Sequence, residues 1–358
     1  MDYDVVIIGA GVAGCSAAIN LPAHLRVAVI DQSKSLDFKI GESLPPAVKR
    51  LFKKMQLWED FKQQGHLPCY GNRAIWANNQ LQETDFIRDI DGHGWHLDRV
   101  KFEQWLVKIA HKNAQFYSKT EFIKAVYIAK QWQITLKNED IKARLIIDAS
   151  GRTSPFSKRL KIQKQHTDQM VSSWLKGTEI PHRNDTGFSF IQATEKGWWY
   201  SASIPNQERI LSFHTDARLD HLKNFRDAKV QLATAQQYPL LAELLERCQF
   251  QLTETQGYTA AHSTRLSQFS GQAWLAAGDA ALSMDPISSQ GMFNALYTGL
   301  LAATQGQQWL NHEIPDFKQY HQSLEQIWQA YQQHLKYWYQ VPEQWQQSDF
   351  WKLKKISI

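Results

Sequence analysis

The stretch Asp4-Val5-Val6-Ile7-Ile8-Gly9-Ala10-Gly11-Val12-Ala13-Gly14 joins an apolar run to three glycines, and residues 12–20 are helical in character. In this context the first glycine makes a tight turn and the second lets the backbone approach a pyrophosphate. The third allows the helix to pack closely on the strand. Asp31 ends the next buried run, residues 26–30, where a carboxylate can accept from ribose hydroxyls. The pattern predicts a strand–helix–strand unit with a parallel sheet that binds a dinucleotide.

Two later turns extend this site. Residues 145–147 form a buried run that ends in DASGR at 148–152, where small residues allow close approach to a nucleotide. Residues 275–277 form another buried run, and Gly278-Asp279 follows it. A turn from Pro286 to Gly291 then opens a helix that extends to about residue 310. A carboxylate at residue 279 can accept from ribityl hydroxyls, and a helix N-terminus stabilises the anionic edge of reduced flavin. The pattern therefore predicts FAD rather than NAD, with a helix N-cap as the alternative role for Asp279.

The predicted architecture is α/β, with a doubly wound, Rossmann-like FAD-binding domain that is discontinuous in sequence. We assign it residues 1–160 and 271–310, with part of 45–95 facing the substrate. Residues 161–270 form an inserted, mostly antiparallel substrate domain, and residues 311–358 form an aromatic-rich helical segment. Further predicted elements are helices at 45–64, 99–112, 222–247 and 315–340, a hairpin at 122–127 and 131–136, a sheet at 171–215 and a strand at 251–264.

Composition excludes several classes of function. The net charge of +5 is spread along 358 residues without a basic block of the kind that binds nucleic acid. No apolar run reaches the ~18 residues that a transmembrane helix needs. The first strand begins at residue 4, which leaves no room for a signal peptide, and the three scattered cysteines suit a reducing compartment. We expect a cytoplasmic protein without a metal.

In this order the three motifs resemble the FAD-dependent monooxygenase superfamily that includes p-hydroxybenzoate hydroxylase and the flavin-dependent halogenases. The resemblance spans nearly the whole chain. It implies that Asp31 binds the adenosine ribose, that Arg99 helps to hold the cofactor, and that the backbone at Val126 meets the adenine. The residues expected to contact FAD are Gly9, Gly11, Val12, Ala13, Gly14, Asp31, Gln32, Lys39, Gly41, Ser43, Arg99, Val126, Ala149, Gly151, Gly278, Asp279, Pro286, Gly291 and Met292.

Three runs are similar to the halogenase-like branch: KIGESLP at 39–45, GWHLDR at 94–99 and GWWYSA at 197–202. Two departures argue against halogenation. Halogenases carry a reactive lysine after the Gly-Glu motif and its helix, yet no lysine occurs between Lys62 and Lys101. They also carry a Trp-x-Trp-x-Ile-Pro signature, and here YSASIP at 200–205 lacks both tryptophans. The resemblance therefore favours hydroxylation.

Compact halogenase-like chains without these features resemble the flavoproteins that serve quinone-cofactor amine oxidases such as glycine oxidase and lysine oxidase. This resemblance implies hydroxylation of a tryptophan in a partner protein, the quinoenzyme precursor, at the start of tryptophylquinone formation. FAD would be reduced by NAD(P)H or by a separate reductase, and O2 would be consumed. Two alternatives stay open: a small-molecule monooxygenase or halogenase acting on a free indole or phenol, and a flavin-binding escort subunit without catalysis.

The candidate catalytic residues are Asp285, on the loop expected beside the flavin ring, and His93 and His96, which flank Trp95. The alternative for Asp285 is a cap of the following turn, and for the histidines it is a satisfied structural role. The aromatic tail is interpreted either as core packing of a C-terminal helix or as a rim that receives a protein substrate. Its members are Trp328, Tyr331, Tyr337, Trp338, Tyr339, Trp345, Phe350 and Trp351.

Overall fold

The structure, a computed structural model, describes residues 2–33, 37–76, 80–182 and 187–357. Its strands are β1 (Asp2–Ile8), β2 (Val27–Asp31), β3 (Ser43–Leu44), β4 (Leu67–Cys69), β5 (Gly71–Ile75), β6 (Gln82–Asp85), β7 (Gly94–His96), β8 (Gln115–Ser118), β9 (Phe122–Ile128), β10 (Gln131–Leu136), β11 (Asp140–Asp148), β12 (Lys164–His166), β13 (Met170–Thr178), β14 (Phe188–Thr194), β15 (Gly197–Ile204), β16 (Glu208–Asp216), β17 (Gln251–Ala260), β18 (Thr264–Leu266), β19 (Ser270–Gly271), β20 (Trp274–Ala276) and β21 (Leu282–Ser283). Its helices are α1 (Val12–Asn20), α2 (Val48–Lys54), α3 (Trp58–Lys62), α4 (Arg99–Ala110), α5 (Pro155–Arg159), α6 (Ala228–Ala235), α7 (Pro239–Arg247), α8 (Gly291–Leu310), α9 (Lys318–Trp338) and α10 (Asp349–Ser357).

The first sheet, here called the nucleotide sheet, has the parallel order β20-β11-β1-β2-β8, with β19 antiparallel at one edge. The β9–β10 hairpin extends it antiparallel from β11. Its central strands are continuous apolar runs because both faces are covered, and the side chains of Val5, Ile7 and Ile147 are completely buried. Helices α1 and α8 pack against each other beside this sheet. The predicted α/β fold is confirmed.

The second sheet, the inserted sheet, has the order β17-β13-β16-β15-β14-β5-β6 and is antiparallel except where β14 runs parallel to β5. Adjacent tryptophans of β15 point to opposite faces, as strand geometry requires. Trp199 packs with Leu241 and Leu244 of α7 in one cluster, whereas Trp198 packs into the main core. The antiparallel sheet was predicted, but its extension by residues 71–85, which lie in the 45–95 stretch, was not.

The C-terminal segment packs onto the core. Helix α9 buries residues at helical spacing: Tyr320, Leu324, Trp328, Tyr331 and Leu335. Tyr339, Phe350 and Trp351 are also at most 3% exposed, whereas Tyr337 is 67% exposed. Core packing is therefore confirmed as the role of most of the aromatic tail. Helix α10 lies within the predicted helical segment 311–358, although no separate helix was assigned there. In the described residues, every helix is too short or too polar to cross a bilayer.

Candidate functional site

The loop after β1 has the shape that a dinucleotide site needs. Gly9 has φ +103°, and a Cβ there would lie 2.4 Å from the carbonyl oxygen of Ala149. A Cβ at Gly14 would lie 1.9 Å from the oxygen of Gly9, so both residues must be glycine for packing reasons. Gly11 differs, because a Cβ there would meet nothing within 4 Å. Gly11 is the N-cap of α1 and faces open space, which is the place where a pyrophosphate would sit.

The two later turns meet this loop. The amide of Ala149 donates to the oxygen of Ile8 (2.9 Å), and the amide of Ala277 donates to the oxygen of Asp148 (2.8 Å). Gly278, with φ +59°, approaches α1 so closely that a Cβ would lie 2.7 Å from the Cβ of Ala13. The structure thus brings together the three motifs that the sequence placed at 9–14, 148–152 and 278–279.

Asp279 lies within a small charged cluster. Arg152 Nε lies 3.3 Å from its Oδ2, and Lys164 Nζ donates to its backbone oxygen (3.3 Å). Lys164 Nζ also donates to the oxygen of Arg152 (2.8 Å) and to Ser154 Oγ (2.6 Å). Burial, with the nearby Arg152 charge, lowers the pKa of Lys164 to about 8, although Asp148 and Asp279 oppose this shift. The carboxylate of Asp279 is 38% exposed, so it retains lone pairs for hydroxyl donors. Sequence reasoning missed Lys164, which belongs to no motif.

A second ionic cluster fixes the loop at residues 39–43. Arg99 Nη1 donates to the oxygens of Gly41 (2.7 Å) and Ile40 (3.1 Å), and Arg99 Nη2 donates to Glu103. Lys39 Nζ also bonds Glu103 (2.9 Å). Burial acts to raise the pKa of Glu103, but the charges of Arg99 and Lys39 outweigh it and the pKa is lowered. In the described part of the chain, the buried Nε of Arg99 lacks a hydrogen-bond partner, so one donor is left for a bound group.

The three halogenase-like runs meet at one junction, defined by Ser43, His96, Ser189 and Tyr200. Strand β3 pairs with β7, which places Ser43 opposite His96. The hydroxyls of Tyr200 and Ser43 lie 2.9 Å apart, and His96 Nε2 lies 2.9 Å from Ser189 Oγ. Burial, helped by the charge of Arg209, lowers the pKa of His96 to about 4. His96 is therefore a neutral imidazole near pH 7.

His93 has a different environment from His96. Its Nδ1 lies 2.8 Å from the oxygen of Gly94, and its ring packs edge-on to Trp95 with centroids 4.5 Å apart. It also packs against Tyr70. These contacts match the structural alternative for His93, and a catalytic role for either histidine stays a prediction.

Asp285 is fully buried, and its polar groups are engaged. Its Oδ1 accepts from the amide of Ile287 (3.0 Å), so the capping alternative is confirmed. Its Oδ2 accepts from Tyr339 Oη (3.0 Å) and from Lys354 Nζ (2.8 Å), and its own amide donates to Tyr331 Oη (2.8 Å). A role for Asp285 as a base stays a prediction. Sequence reasoning missed Lys354, whose only signal is its spacing on α10 from Phe350 and Trp351.

The remaining residues predicted to contact FAD lie in several elements. Asp31 ends β2 and accepts from Ser33 Oγ (3.3 Å), and Gln32 next to it is exposed. Gly291 opens α8, and a Cβ there would meet nothing within 4 Å. Val126 lies on β9, which pairs with β10, and is 48% exposed. The contact of Val126 with adenine stays a prediction. Val12 starts α1, Gly151 faces open space, Pro286 follows Asp285, and Met292 lies in α8; their contacts with FAD also stay predictions.

These residues fit FAD. Open space lies beside each of Gly11, Gly151 and Gly291, and helices α1 and α8 begin at the first and the last of them. Asp31 ends β2 and Asp279 follows β20, so two carboxylates lie at the ends of strands of this sheet. A parallel sheet with this cradle defines an FAD-dependent oxidoreductase. The chain belongs to the FAD binding domain family, whose model matches residues 2–299.

Curated relatives cover most of the chain. One is named as an FAD-dependent oxidoreductase, LodB of Marinomonas mediterranea; it is 25% identical, over 98% of this chain and 96% of its own. The second is the 1H-pyrrole-2-carbonyl-[peptidyl-carrier protein] brominase of Pseudoalteromonas luteoviolacea, 25% identical over 84% of this chain and 76% of its own. The third is the corresponding chlorinase of Pseudomonas fluorescens, 24% identical over 84% and 75%.

Solved structures show the same fold. The myxobacterial chondrochloren halogenase CndH superposes with a TM-score of 0.86 at 20% identity, over 99% of this chain and 86% of that one. The flavin-dependent halogenase CmlS gives 0.84 at 19% identity, over 99% and 68%. The family match identifies the protein as an FAD-dependent oxidoreductase, and the solved structures show that it shares the fold of flavin-dependent halogenases. They give no support to the finer, tryptophylquinone-related assignment.

Proposed function

We propose that this protein is an FAD-dependent monooxygenase that hydroxylates an electron-rich aromatic ring, with a tryptophan of a partner protein as the substrate. When bound and reduced by NAD(P)H or a reductase, FAD supplies the chemistry of oxygen activation. The chain's own residues bind and orient it: the α1 N-terminus at the pyrophosphate, Asp31 and Asp279 at hydroxyls, and the α8 N-terminus at the ring edge. The 285–291 loop, with Asp285 buried behind it, would limit the access of water.

The contacts of the lysines near the site are the observation that favours hydroxylation over halogenation. A reactive amine must be uncharged and accessible. Lys39 is bound to Glu103, Lys164 to three oxygens, and Lys354 to two carboxylates. Together with the absence of lysine from residues 63–100, this pattern favours transfer of oxygen to the ring.

The signature positions in β15 support the same proposal. Ala202 occupies the position of the second signature tryptophan and is completely buried, so the larger side chain has no space there. Tyr200 occupies the position of the first, and its hydroxyl bonds Ser43. The junction is therefore polar where halogenases have an indole.

A second candidate is a small-molecule enzyme, either a monooxygenase or a halogenase acting on a free indole or phenol. The relatives favour it over the protein-substrate assignment, because halogenases predominate among them. Two of those relatives are named for a pyrrole ring carried by a peptidyl carrier protein.

The test is co-expression with the precursor of a tryptophylquinone amine oxidase, followed by intact mass and peptide mapping of the precursor. The proposal expects one or two added oxygens on a single tryptophan. A matched culture carries the Gly11→Ala variant, in which the fold is kept and FAD binding is weakened. An unmodified precursor, together with turnover of free indole or phenol by the purified protein, would establish the second candidate instead.

A further inference from the structure

The 285–291 loop, which is expected beside the flavin ring, is hydrogen-bonded to the C-terminal segment. Asp285 begins this loop, and its amide and both carboxylate oxygens are bonded within the protein. The amide donates to Tyr331, one carboxylate oxygen accepts from the Ile287 amide, and the other accepts from Tyr339 and Lys354. Tyr331 belongs to α9 and Lys354 to α10. The position of the loop therefore depends on residues up to 69 positions later in the sequence.

Lys354 is the cation of a buried cluster. Its Nζ lies 2.8 Å from Asp285 Oδ2 and 3.4 Å from Asp168 Oδ2, and none of the three side chains is more than 2% exposed. The ammonium also lies 4.3 Å from the ring centre of Tyr339. Asp168 also interacts with a second cation, Arg218, whose pKa is raised chiefly by its bond to Asp216 and also by the Asp168 charge. Removal of Lys354 would therefore leave chiefly the buried Asp285 anion uncompensated.

The neighbouring groups cannot replace that cation. Burial and the charge of Asp285 raise the pKa values of Tyr331 and Tyr339 well above the usual value, so both remain neutral hydroxyls. Burial and the Lys354 charge lower the pKa of His214 to about 3, so that ring is also neutral. Among the described residues, Lys354 is the cation that contacts Asp285.

We propose that Lys354 is a positioning residue of the cofactor site: through Asp285 it fixes the 286–291 loop and the N-terminus of α8 against the flavin ring. Helix α10 is then part of the FAD site, although it lies outside the residues that the FAD binding domain model matches. The inference rests on the FAD assignment and is independent of whether the substrate is a protein or a small molecule.

The test compares Lys354→Met with Lys355→Met, a change of the adjacent, exposed lysine on the same helix. FAD dissociation constants are measured by quenching of flavin fluorescence, and the visible spectrum of the bound flavin is recorded. We expect Lys354→Met to bind FAD about tenfold more weakly, the size expected for the loss of a hydrogen bond between charged groups, and to shift the flavin spectrum. Lys355→Met should match the parent protein in both.

A second variant keeps the proposal testable if Lys354→Met does not fold. Lys354→Met/Asp285→Asn also removes the charge of Asp285, the carboxylate closest to the lost ammonium, and the Asn oxygen can still accept from the Ile287 amide. We expect this double variant to fold and still to bind FAD more weakly than the parent, because the tether between loop and α10 is gone. Parental FAD affinity and spectrum in either folded Lys354 variant would overturn the proposal and leave Lys354 with a role in the tail alone.

Discussion

The substitution Gly11→Ala separates cofactor binding from folding. Gly11 has φ −72° and ψ −172°, an extended conformation that alanine adopts readily, and a Cβ there meets no atom within 4 Å. The protein without FAD should therefore be unharmed. Its unfolding free energy should change by less than about 1 kcal/mol, because the restriction of the unfolded chain by alanine is opposed by the preference for glycine over alanine at an N-cap.

With FAD bound, the new methyl group would occupy space needed by the pyrophosphate. Overpacking of this kind costs about 1–3 kcal/mol. At about 1.4 kcal/mol for each factor of ten, the dissociation constant should rise about 5-fold to 150-fold. The assay is flavin fluorescence quenching on protein stripped of FAD, with thermal unfolding of the same sample.

Gly14→Ala is the contrasting variant, since its Cβ would lie 1.9 Å from the oxygen of Gly9. It should lose stability even without FAD. The reasoning is refuted if Gly11→Ala binds FAD as tightly as the parent, or if its FAD-free form is destabilised as severely as Gly14→Ala.

Two further predictions concern Asp279 and His96. Asp279→Asn should weaken FAD binding several-fold in the same assay. The melting temperature should change little, because the partly exposed pair of Asp279 with Arg152 is worth at most about 1 kcal/mol. An unchanged FAD affinity would show that Asp279 does not contact the ribityl chain. Burial lowers the pKa of His96 to about 4, against the ordinary 6.5, so between these pH values the unfolded chain binds a proton that the folded protein does not. The free energy of unfolding should therefore fall by about 3 kcal/mol as the pH drops from 6.5 to 4. In urea titrations across that range, His96→Asn should show a shallower acid slope, and an identical slope would contradict the assignment.

Local patterns were sufficient to predict much of the fold. Helix α8 spans Gly291–Leu310, the range that its opening glycine and apolar spacing predict. The strands of the nucleotide sheet are uninterrupted apolar runs because they are covered on both faces, and such runs are visible in the sequence. The glycine turns were also predictable, because each carries its chemistry within a few residues.

The contacts that complete the site join distant parts of the chain and could not be predicted in this way. Tyr200 and Ser43 are 157 residues apart, and no pattern in either segment indicates that their hydroxyls meet. Lys354 looks like one more lysine of a basic C-terminal run until α10 packs it beneath Asp285. Strand β5 joins the inserted sheet by pairing with β14, a long-range choice that depends on tertiary packing.

The most direct test of the central claim asks whether the enzyme adds oxygen or bromine to an aromatic substrate when both O2 and bromide are present. The FAD-loaded protein, a flavin reductase with NADH, O2 and excess bromide are supplied with the quinoenzyme precursor and, separately, with free indole. The account predicts that mass spectrometry finds added oxygen on a tryptophan of the precursor and no bromine in either product. Brominated indole beside an unmodified precursor would contradict it and assign the protein to small-molecule halogenation.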